Sequence, residues 1–143
     1  MKIAFGSDHA GFEIKEEIKS FLTSLNIDFV DLGAYEFDAL DDYPDFAKNV
    51  GYAIRNCEAQ KGIIVCGSGV GASITANKIK GVRAGLCHDG YSAHQGVEHD
   101  DMNVLCIGAD YTDFDTAKYM IEAFFKTKFL KGRHTRRIKK LDA

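Results

Sequence analysis

The densest chemistry in the sequence lies at residues 66–71, CGSGVG. Gly67, Gly69 and Gly71 leave the backbone free to turn its N–H groups inward, with Val70 supplying a further amide and Ser68 a hydroxyl. The apolar run before this turn, residues 62–66, reads as a strand. Residues 71–80 read as a helix whose positive end faces the turn. Such a turn can cradle a phosphate or stabilise an enediolate oxygen as charge develops during proton abstraction. Cys66 stands at its mouth. A helix N-terminus favours the thiolate form of a nearby thiol, which makes Cys66 a candidate general base. A buried strand-end cysteine packing as a small hydrophobe is the competing reading. Ser68 could hydrogen-bond the thiolate or a substrate, or simply complete the turn. Cys57, Cys87 and Cys106 lack the glycine turn and are expected to pack.

Three further groups could act with it. Asp8 and His9 follow the apolar strand at residues 2–5. His9 could bind phosphate or relay a proton, and Asp8 also suits a helix cap. His99 and Asp100 lie at a helix end just before the strand at 103–108, and His99 is a candidate acid for opening a sugar ring. Arg133 and Arg137 are spaced i, i+4 in the basic tail KGRHTRRIKK. Paired guanidinium groups suit a phosphate dianion, although a solvated basic helix has the same pattern. His94 and His99 are five apart, poor spacing for two ligands on one helix face, and no His/Cys/Asp grouping has zinc spacing; no metal is expected. Gly67, Gly69 and Ala72 with Asp89 also mimic a dinucleotide fingerprint. The extra Gly71 and the lack of a second nucleotide-binding half weigh against it, and a nucleotide-binding Rossmann-like module stays as the remoter alternative.

The elements that must position these groups alternate. Strands are predicted at residues 2–5, 28–32, 62–66, 82–87 and 103–108. Helices are predicted at 12–25, from Pro44 to about 56, at 71–80, 91–98 and 114–126, with a basic C-terminal helix at 131–141. The first, third and fifth strands are nearly continuous apolar runs, as when helices cover both faces of a sheet. This predicts an α/β fold: a three-layer α/β/α sandwich on a five-stranded parallel sheet, Rossmann-like, with a C-terminal helix. Ligands in such folds bind beyond the C-terminal strand ends, which gathers Asp8, His9 and Cys66 at one edge.

The chain of 143 residues fits one domain, residues 1–143, and needs neither disulfide nor metal for stability. Its formal net charge of −3 argues against a globally basic nucleic-acid binder. No run approaches the apolar length of a membrane span, and the N-terminal residues lack a signal-peptide core. The four cysteines form no CxxC pair and read as free thiols in a reducing, cytoplasmic compartment.

Taken together, KIAFGSDHAGF at the start, DYP at 42–44, IIVCGSGVGASITANK at 63–78, GVRAGLC at 81–87, HDDMNVLCIG at 99–108 and GRHTRR at 132–137 resemble the B-type ribose-5-phosphate isomerases and their allose- and galactose-6-phosphate isomerase relatives. The resemblance covers essentially the whole chain. It implies a parallel sheet in order 2-1-3-5-4 and a homodimer or dimer of dimers with shared active sites. It implies a sugar-phosphate substrate, no cofactor, and no nucleic-acid or membrane partner. It further implies that Cys66 is the base moving a proton between C1 and C2, that His99 is the ring-opening acid, and that Asp8, His9, the 67–71 turn, position 100, Arg133 and Arg137 contact substrate. One branch of the family replaces the cysteine with a later glutamate; Ala72 at that place marks this chain as the cysteine type. Two positions depart from the pattern. Asp100 stands where many relatives have Asn, and Asp110 where many have a phosphate-binding Arg.

Overall fold

The computed structural model describes residues 1–142. The elements run β1 (Lys2–Ser7), a 3-10 turn (His9–Gly11), α1 (Phe12–Ser24), β2 (Asp28–Asp31), α2 (Tyr43–Arg55), β3 (Lys61–Cys66), α3 (Val70–Asn77), β4 (Ala84–Leu86), α4 (Gly90–Asp100), β5 (Val104–Gly108), α5 (Phe114–Lys126) and α6 (Arg133–Lys139). The five strands are parallel, in the order β2-β1-β3-β5-β4. Both the three-layer sandwich and the strand order match expectation.

Period-two alternation splits the strand side chains between two cores. Ile3, Phe5, Ile63, Val65, Leu105 and Ile107 meet Ile18 and Leu22 of α1, Val97 of α4, and Met120, Ile121 and Phe124 of α5. Ala4, Ile64, Cys66, Val104 and Cys106 face the other way, onto Ala47 and Val50 of α2 and Ala72 and Ala76 of α3. The second layer is built of smaller residues, so its helices lie close to the sheet. A Cβ on Gly62 would sit 2.6 Å from a Val50 methyl, and one on Gly6 3.0 Å from the other.

Element ends shift where pairing overrides the local signal. Gly6 does not stop β1, because Gly6 and Ser7 still pair with Ile64 and Val65. The predicted strand at 82–87 contracts to three residues. β4 is an edge strand that pairs only with β5, from Ala84↔Val104 to Leu86↔Cys106. The final helix covers Arg133–Lys139 rather than 131–141.

One buried ion pair ties the first half of the chain to the site. Lys15 on α1 is fully buried and donates to Asp31 Oδ1 at 2.7 Å and to the Ala34 carbonyl at 2.6 Å. Lys19 donates to the other Asp31 oxygen at 2.9 Å. Burial opposes the charge on Asp31, but hydrogen bonds from Lys15, Lys19 and the Gly33 amide prevail and hold its carboxyl below the usual range. This anchor fixes the chain leaving β2, which then bonds β1 through Ser7 N–H to Gly33 O (2.8 Å) and Ala34 N–H to Ser7 O (2.6 Å).

Candidate active site

Three neighbouring strands end together. Ser7 pairs with Val65, and Cys66 with Gly108, so the residues after β1, β3 and β5 emerge side by side at one sheet edge. Asp8 and His9, the 67–71 turn, and Asp110 occupy that edge, as the strand-end argument requires. The turn is clamped from the β5 side by Ala109 N–H to Cys66 O (2.8 Å) and Asp110 N–H to Gly67 O (2.9 Å).

Each glycine of the turn has its own reason. Gly69 has φ +80°, the left-handed region, and a Cβ there would lie 2.5 Å from Leu86 Cδ1. A Cβ on Gly71 would lie 2.4 Å from the Tyr43 ring, so Tyr43 of α2 packs against the turn. A Cβ on Gly67 would lie 3.1 Å from Asp110 Oδ2, which puts that carboxylate against the same turn. Ser68 Oγ accepts from the Val70 N–H at 3.2 Å, and Gly69 N–H donates to Cys66 Sγ at 3.2 Å.

The electrostatics of Cys66 differ from expectation. The sulfur accepts from the turn, and the backbone amides of Ala72, Gly69 and Ser68 favour the thiolate, as foreseen. Burial is the larger effect and, helped by the nearby Asp8 carboxylate, pushes the thiol up instead. Cys66 is 3% exposed, and neither of the two main clefts of the chain includes it. One of these clefts, about 590 Å³, runs along the β4 edge between Asn77, Leu86, Met102 and Leu141.

Asp8 both caps and faces the site. Its Oδ1 accepts from Ala10 and Gly11 N–H at 3.0 and 3.2 Å, and burial raises its pKa. His9 has a partner that the sequence did not reveal. Asp41 Oδ1 accepts from the His9 backbone N–H at 3.0 Å and lies 2.6 Å from His9 Nδ1. The acidic segment 35–42 reads as a solvated loop, and nothing local signals that one of its carboxylates turns inward to a histidine 32 residues away. Among the described residues, Asp8, His9 and Asp41 form the one grouping whose metal-ligand atoms lie within 4.8 Å of one another. In this arrangement Asp8 is engaged as a cap and Asp41 as the His9 acceptor.

His99, Asp100, Arg133 and Arg137 lie elsewhere. α4 ends at Asp100, and the chain then meets the start of the sheet: Arg83 Nε donates to Asp101 O at 2.7 Å, and Asn103 N–H to Arg83 O at 3.0 Å. Arg83 and Asn103 immediately precede β4 and β5, so this cluster sits at the N-terminal strand edge. Cys66 sits at the opposite one. β3 has six residues, which at ~3.3 Å each separates the edges by about 17 Å. Within the cluster the His99 and His134 rings stack, with centroids 4.4 Å apart. His134 is buried, its Nε2 lacks a partner, and burial together with the charges of His99, Arg133 and Arg137 pushes its pKa down. Arg133, Arg137 and Asp100 are exposed around it.

The family model described as Ribose/Galactose Isomerase matches residues 3–141. Ribose-5-phosphate isomerase B of Escherichia coli strain K12 is 39% identical over 142 residues, covering 99% of this chain and 95% of its own. Among solved structures, ribose-5-phosphate isomerase B of Clostridium thermocellum superposes with a TM-score of 0.96 at 39% identity, covering 99% of this chain and 95% of that one. The Mycoplasma genitalium enzyme with bound ribulose-5-phosphate superposes at 0.94 with 40% identity, over 98% and 93%. With agreement of sequence and of backbone running over nearly every residue, glycine turn and basic tail included, the chain belongs to the ribose/galactose isomerase family.

Proposed function

We propose that residues 1–143 act as one aldose–ketose isomerase unit that interconverts D-ribose 5-phosphate and D-ribulose 5-phosphate through an enediolate, in the cytoplasm and within pentose phosphate metabolism. The observation that carries this reading is the sulfur of Cys66 at a strand end, bonded by a turn amide, with Asp8 and His9 emerging from the adjoining strand. That is the arrangement a carbon acid needs: a base beside N–H groups aimed at a developing oxyanion.

In this mechanism the Cys66 thiolate takes the C2 proton of the open-chain aldose. The C–H electron pair forms the C1–C2 double bond as the C1 carbonyl oxygen becomes the enediolate oxygen. The 67–71 turn and Ser68 stabilise that charge, the C2 hydroxyl proton passes to the C1 oxygen, and Cys66 returns its own proton to C1 as the C2 carbonyl forms. Electrons are redistributed within one molecule, so the reaction calls for no external oxidant, and we assign it no metal or organic cofactor. His99 donates the proton for ring opening. His9, Arg133 and Arg137 hold the phosphate, which places C1 and C2 at the sulfur.

One chain cannot supply all of these, because the cluster of His99, Asp100, Arg133 and Arg137 stands about 17 Å from Cys66 across the sheet. We therefore assign them to a second copy of the chain, in a homodimer or a dimer of dimers with shared sites. The exposed apolar Val70 and Ile74 on α3, beside the glycine turn, support a covered face there. No helix of the described chain is long and apolar enough to cross a membrane, and all four cysteines are free, which fits a reducing compartment.

The test is a coupled assay of the purified protein with ribose, allose and galactose phosphates. Turnover highest with ribose 5-phosphate, without added nucleotide, supports the reading. Preference for a six-carbon phosphate would move the chain to the allose or galactose branch. Binding of NAD(H) with no isomerisation would overturn it in favour of a nucleotide module.

A further inference from the structure

We infer that Asp41 is a positioning residue for His9: it holds the ring with Nδ1 turned into the protein, so that a protonated imidazole offers its Nε2–H to the substrate phosphate. The inference rests on the reading that this edge binds a sugar phosphate. One carboxylate oxygen of Asp41 takes both the His9 backbone N–H (3.0 Å) and the ring nitrogen (2.6 Å), which fixes the residue at two points. The Asp41 side chain is 11% exposed, and its second oxygen is buried without a partner. A carboxylate so poorly hydrated has its one strong charge-assisted contact in the His9 ring. The ring is further confined by Phe37, edge-on at 6.2 Å between centroids and itself against Phe12.

The charges around His9 make its proton matter. Asp8 faces it from the end of β1, and Asp38 and Asp41 from the 35–42 loop. Cys66 and Asp110 occupy the adjoining ends of β3 and β5. A phosphate approaching this edge therefore meets carboxylates, with the His9 imidazolium as the counter-charge just past β1. The Asp41 hydrogen bond raises the His9 pKa, against a smaller opposing effect of burial. Phosphate binding should accordingly be strong below that pKa and weaken as pH rises through it.

The experiment compares the full-length protein with Asp41→Asn, an isosteric change that keeps an acceptor but removes the charge, and with Asp41→Glu. Steady-state kinetics on ribose 5-phosphate from pH 6 to 9 are paired with a proton NMR titration of the histidine C2–H signals, the His9 signal being identified by its loss in His9→Gln. In Asp41→Asn the His9 titration moves to lower pH. KM near pH 8 rises by about tenfold with kcat changed little, as loss of one charge-assisted hydrogen bond predicts. Asp41→Glu recovers part of the shift, and Asp41→Asn adds nothing to KM in the His9→Gln background. An unmoved His9 titration overturns the inference, as does a moved titration with a KM–pH profile that superimposes on wild type. If the wild-type chain turns over no sugar phosphate, the functional reading fails by that result alone. The NMR titration, with and without inorganic phosphate, then decides separately whether Asp41 sets the proton on His9.

Discussion

The two ends of the sheet carry two different kinds of site. At the C-terminal edge, the parts are backbone and short side chains: the 67–71 turn, Cys66, Asp8 and His9, held by register, by buried packing and by the Lys15–Asp31 anchor. At the N-terminal edge, the parts are long or exposed side chains on two helices, with Arg133 and Arg137 flanking the buried His134 that stacks on His99. The first edge is largely buried and lined with carboxylates. The second is cationic and open. Under the proposed mechanism the difference teaches that neither edge suffices alone: one would offer a base without enough positive charge, the other positive charge without a base.

Removing the sulfur should give the largest effect. Cys66→Ala is expected to lower kcat by roughly 10²–10⁴-fold, the usual contribution of a positioned base, while a product-binding titration stays close to wild type. Retained turnover would dismiss Cys66 as the base and break the comparison at its first term.

Arg137→Ala probes the opposite edge. It should raise KM by about tenfold or more while kcat falls less, consistent with loss of a charge-assisted phosphate contact. The comparison sharpens when the two variants are mixed. If each site draws on two chains, subunit exchange between Cys66→Ala and Arg137→Ala places an intact Cys66 opposite an intact Arg137 in the mixed dimers. The mixture should then exceed the summed activity of its parts. Strict additivity after demonstrated exchange would mean that the two edges serve no common site.

The smallest effect is also the most diagnostic, because two groups at the Cys66 edge should respond to pH in opposite senses. Burial raises the Cys66 thiol, so the thiolate is the minor form at neutral pH and its share grows about tenfold per pH unit below that pKa. kcat should therefore climb on the alkaline side. His9 has a raised pKa and carries its positive charge only below it, so KM should worsen over the same direction of change. A kcat that is flat from pH 7 to 9 would indicate a thiol already ionised, or a base other than Cys66.

Much of this was legible before any coordinates. The alternation of apolar strands with amphipathic helices dictates a parallel sheet, and parallel register brings the residues after successive strands to one edge. That ground alone predicts Asp8, His9 and the 67–71 turn side by side. The turn glycines carried their meaning locally, because φ +80° at Gly69 suits little else. Element ends were less legible: Gly6 continues β1 because its neighbour β3 still offers hydrogen bonds, and β4 is short because one of its sides has none to offer.

What the sequence by itself determined, then, is the fold class, the order of elements and which residue types stand just past the strand ends, since these follow from periodicity and residue chemistry along the chain. Three matters belonged to tertiary structure. Burial outweighs the amide hydrogen bonds at Cys66, a balance set by how deeply the sheet end lies beneath its helices. Asp41 reaches His9 across 32 residues of separation, through a loop whose direction is fixed by a buried lysine. And His99 with its arginines lies a full strand length from the sulfur, because α4 must run back along the sheet before β5 can begin. Each is a contact or a distance between remote residues, and no local pattern encodes how a folded chain brings such residues together or holds them apart.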